Sequence, residues 1–330
     1  MQMIDRDTER KTIAILKVLS ESSEPQGSIA ISRALERHGV FLSERAVRYH
    51  LRMTDERGYT EPQGRDGRVI TQAGLEELRL ALAPEQVGFI IEKLQLLAFN
   101  TTFDPLRRTG LVPINTSLFK ADEFSDALAA MRPAFDHEFC ASRLVAVVHE
   151  GERIGSRVVP PGRIGLATVC GVVVNGVLLK SSVPIESRFG GVLEVRERKP
   201  RRFVAIIRYD GTSLDPSEQY IRAGMTSVGE ASTSGSGRIL ANFREILAPS
   251  RHIVEKRIQE LRAAGMTAAY LLGNTSEPVC QIEVGLNRVG MILLGGLNPV
   301  AAAAEAGIEV DNTAESGLID YEHLVDIGSL

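Results

Sequence analysis

Three arginines, Arg45, Arg48 and Arg52, stand three and four residues apart within residues 43–57, which places them on one side of a helix. Val47 and Leu51, one turn apart, fall on the opposite side and give that helix an apolar face. Ser43 stands where an N-cap is needed, and Gly58 where the helix must stop. A segregated cationic face of this kind binds nucleic acid. Arg48, Tyr49 and Arg52 are placed to reach base edges in a major groove, where guanidinium groups pair with guanine. Just beyond, two extended segments flank Gly64-Arg65-Asp66-Gly67 and Arg68. That is a hairpin with a basic tip, whose Arg65 and Arg68 are expected at the DNA backbone or in the minor groove.

A second group of residues suits a small anion. In Gly295-Gly296-Leu297-Asn298-Pro299 a strand ends on two bare glycines, and Asn298 stands as N-cap to an Ala-rich helix containing Val300 and ended by Gly307. Open N–H groups at such a helix start seat a carboxylate or phosphate. Arg163 and Arg288 occupy equivalent places beside two similar strands, and Arg208 and Arg238 flank a turn and a Gly-rich loop. Each can clamp a carboxylate in bidentate fashion. Catalytic patterns are missing: there is no nucleophile elbow, phosphate loop, zinc-binding helix or Cys-x-x-Cys, and the six histidines form no ligand cluster. Asp104 and Asp215 each precede a proline and are read as helix caps. The chain is therefore expected not to be an enzyme and to need no cofactor or metal.

The elements that position these residues follow from periodicity. Apolar spacing predicts helices over 8–21, 28–38, 43–57 and 71–81, which with the hairpin make a winged helix-turn-helix over 1–83. A strongly apolar helix over 85–99 follows, suited to linking the winged helix to the rest or to pairing with its counterpart in a dimer. Residues 100–312 contain one pattern twice. Asp104-Pro105 answers Asp215-Pro216, and Gly110…Asn115 answers Gly237…Asn242. Helices over 120–132 and 249–264 and strands at 144–149 and 268–272 also correspond. Two further apolar segments open at Gly162 and Asn287 and close at Gly171–Gly176 and Gly295–Pro299, both read as strands. The expected fold class is α+β: a winged helix followed by an internally duplicated α+β regulatory domain over 84–330, with halves of about 100–200 and 201–312, mostly antiparallel sheet and a pseudo-twofold.

Bulk composition agrees with this reading. The 330 residues carry 38 basic and 42 acidic side chains, so a formal net charge of −4 gives no broad basic field. The three cysteines, Cys140, Cys170 and Cys280, have neither metal nor disulfide spacing. No signal sequence opens the chain, and the longest apolar run, Ile164–Leu179, is too short and too punctuated to span a bilayer. A cytoplasmic protein without a membrane partner is expected.

The strings GTSLDPSEQYI (211–221), MTSVGEA (225–231), GRILANFREILAPSR (237–251) and GGLNPVAAAAEAGI (295–308), with TTFDP (101–105) and the winged helix, resemble the NrpR nitrogen-regulatory repressor family. The resemblance extends over nearly the whole chain. It implies a repressor of palindromic operators of nitrogen-metabolism genes, with one winged helix and one regulatory domain, responding to 2-oxoglutarate. A dianion of that kind fits a seat of helix-start N–H groups and arginines. The expectation is a homodimer whose two winged helices read related half-sites. An enzyme with a DNA-binding appendage, or a ligand-independent interaction module, is the alternative.

Overall fold

The computed structural model describes residues 6–22, 24–37, 39–64, 66–86, 89–155 and 157–330, and the chain divides into two compact units, Met1–Gly88 and Phe89–Leu330.

In the first unit, α1 (Arg6–Ser20), α2 (Ser28–Arg37) and α3 (Glu44–Glu56) enclose Ile15, Leu19, Ile31, Leu35, Val47 and Leu51. Ile29, expected on the core side of α2, is instead exposed. The Ser43 hydroxyl caps α3, accepting from the Ala46 N–H at 3.3 Å. Gly58, with φ +73°, turns the chain into β1 (Thr60–Pro62), which pairs antiparallel with β2 (Arg68–Ile70). Gln26 and Arg68 exchange backbone hydrogen bonds of 2.9 and 3.0 Å, adding a third extended segment to the wing. The following α4 (Gln72–Gln86) runs through the boundary expected at residue 83, and the first unit closes at Gly88, just past the end of this helix.

The second unit opens with α5 (Ile90–Asn100). One copy of the repeat is β3 (Leu111–Lys120), α6 (Phe124–Asp136), β4 (Leu144–Val148), a small hairpin β5 (Arg153–Ile154) and β6 (Arg157–Val158), β7 (Arg163–Val169), α7 (Val172–Lys180) and β8 (Ile185–Arg196). Next come β9 (Lys199–Arg208), α8 (Pro216–Arg222) and α9 (Val228–Ser234). The second copy is β10 (Gly237–Leu247), α10 (Arg251–Ala263), β11 (Ala269–Thr275), β12 (Arg288–Leu294), α11 (Asn298–Glu305) and β13 (Val310–Asp320), followed by the short β14 (Val325–Asp326).

The two antiparallel sheets have strand orders β13-β3-β7-β4-β14 and β11-β12-β10-β8-β9. The last strand of each copy therefore leaves its own sheet and joins the other: β8 pairs with β10, and β13 with β3. The sequence halves interlock by this exchange. Strand alternation splits each sheet between two apolar cores, one holding Phe119, Leu166, Phe243 and Ile292, the other Leu118, Ala167, Ile246 and Met291.

Two sequence expectations fail locally. The apolar segment that opens at Gly162 is not strand throughout: β7 ends at Val169, and Val172–Lys180 is the helix α7, the counterpart of α11. Its residues 172–178 are all buried, and a helix that is apolar all round leaves no amphipathic period to read. Asp104 caps a turn rather than a helix, its Oδ1 accepting from Leu106 and Arg107 N–H, because the chain bridges back at Thr109. Asp215, by contrast, does cap α8, accepting from the Glu218 N–H at 3.0 Å.

Candidate functional site

On α3, Arg45, Arg48 and Arg52 are exposed and Tyr49 is 55 % exposed, while Val47, His50, Leu51 and Thr54 are buried. Only a loose ion pair with Glu44, 3.4 Å away, engages Arg48. This face is open for a groove. Arg68 is differently placed: its Nε donates to both Asp55 carboxylate oxygens at 2.8 and 3.1 Å. Asp55 also accepts from the Thr60 hydroxyl at 2.6 Å, which in turn bonds Thr54 at 2.7 Å. Arg68 thus clasps the wing to α3 instead of projecting freely from it. Arg65 lies outside the described residues.

The residues named for the small anion do not form one site. Asn298 does not cap α11; the cap position is Leu297. The Asn298 side chain is buried and bonds the β10 backbone instead, accepting from the Leu240 N–H at 2.7 Å and donating to its carbonyl at 2.9 Å. Val300 is core. Gly295 lets α11 approach β10, since a Cβ there would lie 2.7 Å from Leu240 Cβ. Arg163 pairs with Glu309 at 3.1 Å, away from these glycines, and Arg238 is exposed at the start of β10. Arg208 and Arg288 do come together, on a cleft of about 740 Å³, but each is held by acids: Arg208 by Asp210, Arg288 by Glu186 and Glu245.

Gly296 leads to a different place. It lines a small polar pocket, about 20 Å³, with Gly171, its counterpart in the first copy. Asn115 and Asn242 are likewise counterparts on β3 and β10, and both line the same pocket. The N–H groups of Gly171, Gly296 and Leu297 find no acceptor among the described residues. Two strand-to-helix turns therefore present open donors to one space.

Arg244 supplies the cation there. It is 1 % exposed, yet no carboxylate stands at ion-pair distance among the described residues. Its guanidinium donates to Asn175 Oδ1 at 3.4 Å and to the Phe243 carbonyl at 3.2 Å, and lies 4.9 Å from the centre of the Tyr209 ring. The Tyr209 hydroxyl bonds Asn242 Oδ1 at 2.5 Å. Two acids face the same space. Glu315, at φ +51° in a bulge of β13, is buried, and its Oε2 has no partner among the described residues. Burial pushes its carboxyl far up, with the Asp215 charge adding to the effect, and burial likewise raises Asp215. A neutral Glu315 is a hydrogen-bond donor. Buried guanidinium, open N–H groups and a neutral acid together can hold a carboxylate.

The sequence reading passed over Arg244, Glu315 and Tyr209. Arg244 carried a signal: it is an arginine inside the apolar strand Ile239–Leu247.

Comparison with known proteins agrees with this architecture. Residues 87–326 match the model of NrpR regulatory domains NRD1 and 2, and residues 13–78 match a ribonuclease R winged-helix domain. A protein named global nitrogen regulator NrpRI from Methanosarcina mazei is 36 % identical over 98 % of this chain and 100 % of its own length. The chain belongs to the NrpR family. The NrpR named global nitrogen regulator from Methanocaldococcus jannaschii is 31 % identical, and this chain spans 56 % of it. A solved nitrogen repressor-like protein from Methanococcus jannaschii has the same fold as most of this NrpR chain, with a TM-score of 0.61 and 25 % identity over 72 % of this chain and 98 % of that one. As in the sequence reading, no metal-holding group of His, Cys, Asp or Glu is found among the described residues, and no helix there is long and apolar enough to cross a membrane.

Proposed function

We propose that this NrpR-family chain is a homodimeric repressor of palindromic operators in nitrogen-metabolism genes, with a small dicarboxylate, 2-oxoglutarate, as its effector. The observation that carries the reading is the pairing of an open arginine face on a winged helix with a buried, carboxylate-free Arg244 beneath two open strand-to-helix turns. In this reading one ligand carboxylate takes Arg244 and the Gly171, Gly296 and Leu297 N–H groups. Glu315 stays protonated and donates to the ligand, and Asp215 remains on its α8 cap.

The closed pocket has room for about one water molecule, so a five-carbon diacid must push the two turns apart to enter. That opening has a route to the output. Helix α5, the first element after the winged-helix unit, packs its buried face against Cys170, Val172 and Tyr209, and Lys93 donates to the Ala314 carbonyl at 2.8 Å, beside Glu315. Moving the turns moves the seat of α5 and changes the spacing of the two winged helices. The ligand leaves unchanged, and no reaction is involved.

Calorimetry of the full chain with 2-oxoglutarate tests the effector. Saturable binding with one ligand per chain, recovered intact by NMR, is expected. Turnover of the ligand, or no heat with any central-metabolism diacid, would replace this reading with an enzyme or a ligand-independent module.

A further inference from the structure

The face of α5 turned away from the pocket is unaccounted for. Its inner side is filled by Ile90, Leu94, Leu97 and Ala98. Its outer side is apolar as well: Leu96 is 62 % and Phe99 64 % exposed, and Phe89, just before the helix, is half exposed. These three stand seven and three residues apart, the spacing of a helix-to-helix seam. Beside them Ile91, Ala98 and Phe99 form one wall of the 740 Å³ cleft, and Leu179 and Leu247, both partly exposed, stand on another. Contiguous apolar surface of this kind, rimmed by charge, marks an interaction site.

The rim identifies the partner. Arg188 and Arg288 are matched by Glu186 and Glu245, and Arg208 by Asp210, so the cleft carries both signs in balance. DNA or a free anion would meet these acids, and a lipid surface would strand every ion. A second copy presents the same balanced set, so that across a twofold each charge meets its opposite. We propose that α5 of a second copy docks here, with Leu96 and Phe99 of each chain packed beside the cleft of the other. Because the inner face of α5 covers Cys170, Val172 and Tyr209, the interface and the anion pocket then share one helix.

The proposal rests on the homodimer named above, and sedimentation equilibrium of the full chain separates the two claims without DNA or effector. Wild type is expected to be a dimer at micromolar concentration, and Leu96→Glu with Phe99→Glu a monomer of unchanged circular dichroism. In a Cys280→Ser background, Leu96→Cys is expected to give a disulfide-linked dimer on oxidation, which keeps the test open should the charged variant misfold. A monomeric wild type would remove the dimer itself. A dimer that survives the double substitution and yields no Leu96→Cys cross-link would leave the dimer standing and overturn this interface.

Discussion

Gly171 and Gly296 are pressed against each other's strand ends: a Cβ on Gly171 would lie 3.3 Å from the Leu294 carbonyl oxygen, and one on Gly296 only 2.3 Å from that of Val169. The same two hypothetical atoms would meet the amides of Asn242 and Asn115, at 3.7 and 2.5 Å. The reciprocal contacts place the pseudo-twofold between these glycines, with the polar pocket beside it.

The asymmetry of those distances predicts unequal costs. Gly296→Ala forces backbone to move and should destabilise the fold by about 1–3 kcal/mol, as overpacking does. Gly171→Ala should cost less than that. Denaturant midpoints of the two variants, compared at equal m-value, measure the difference.

On the winged helix, Arg48→Ala and Arg52→Ala should each weaken operator binding by about 1–3 kcal/mol per lost base contact. Fluorescence anisotropy at fixed salt reads this directly, and a double variant with undiminished affinity would take the recognition role away from α3.

Asp55→Asn tests the clasp. The substitution leaves the α3 arginines untouched but loosens Arg68 and Thr60, so the wing loses its fixed angle to α3. Affinity should fall several-fold, with protection lost in footprints at the wing's edge of the half-site before its centre. Uniform loss of protection across the half-site would point to general unfolding of the unit instead.

Glu315 makes a pH prediction. Burial raises its carboxyl from an ordinary value of 4.5 to about 8. Between those values the folded chain keeps a proton that the unfolded chain releases, so stability is lost as pH rises through that window. Glu315→Gln removes this loss. The variant should match wild type near pH 5 and be more stable than it near pH 8 in urea titrations. Parallel curves for the two proteins would mean that Glu315 does not hold its proton.

The features legible in the sequence were those with local signatures. Ser43, the arginine spacing and Gly58 announce α3, and the matched asparagines Asn115 and Asn242 announce the duplication. The exchange of β8 and β13 between sheets was not legible, because strand partners are set by register and packing rather than by composition. Helix α7 was hidden by its uniform burial. Glu315 was hidden by the β13 bulge, which turns inward a residue that would pass for solvent-facing in an alternating strand. Asn298 misled because the same side chain that caps helices also satisfies a strand's backbone, and here Leu240 claimed it.

The central claim is that a small dianion on Arg244 releases the winged helices from DNA. Its most direct test is a gel shift on the gene's own promoter, titrated with 2-oxoglutarate, for wild type and Arg244→Met. The account predicts that the ligand frees DNA from wild type, while Arg244→Met binds the promoter equally well and stays bound at every ligand concentration. An Arg244→Met protein that released DNA at the wild-type ligand concentration would contradict it.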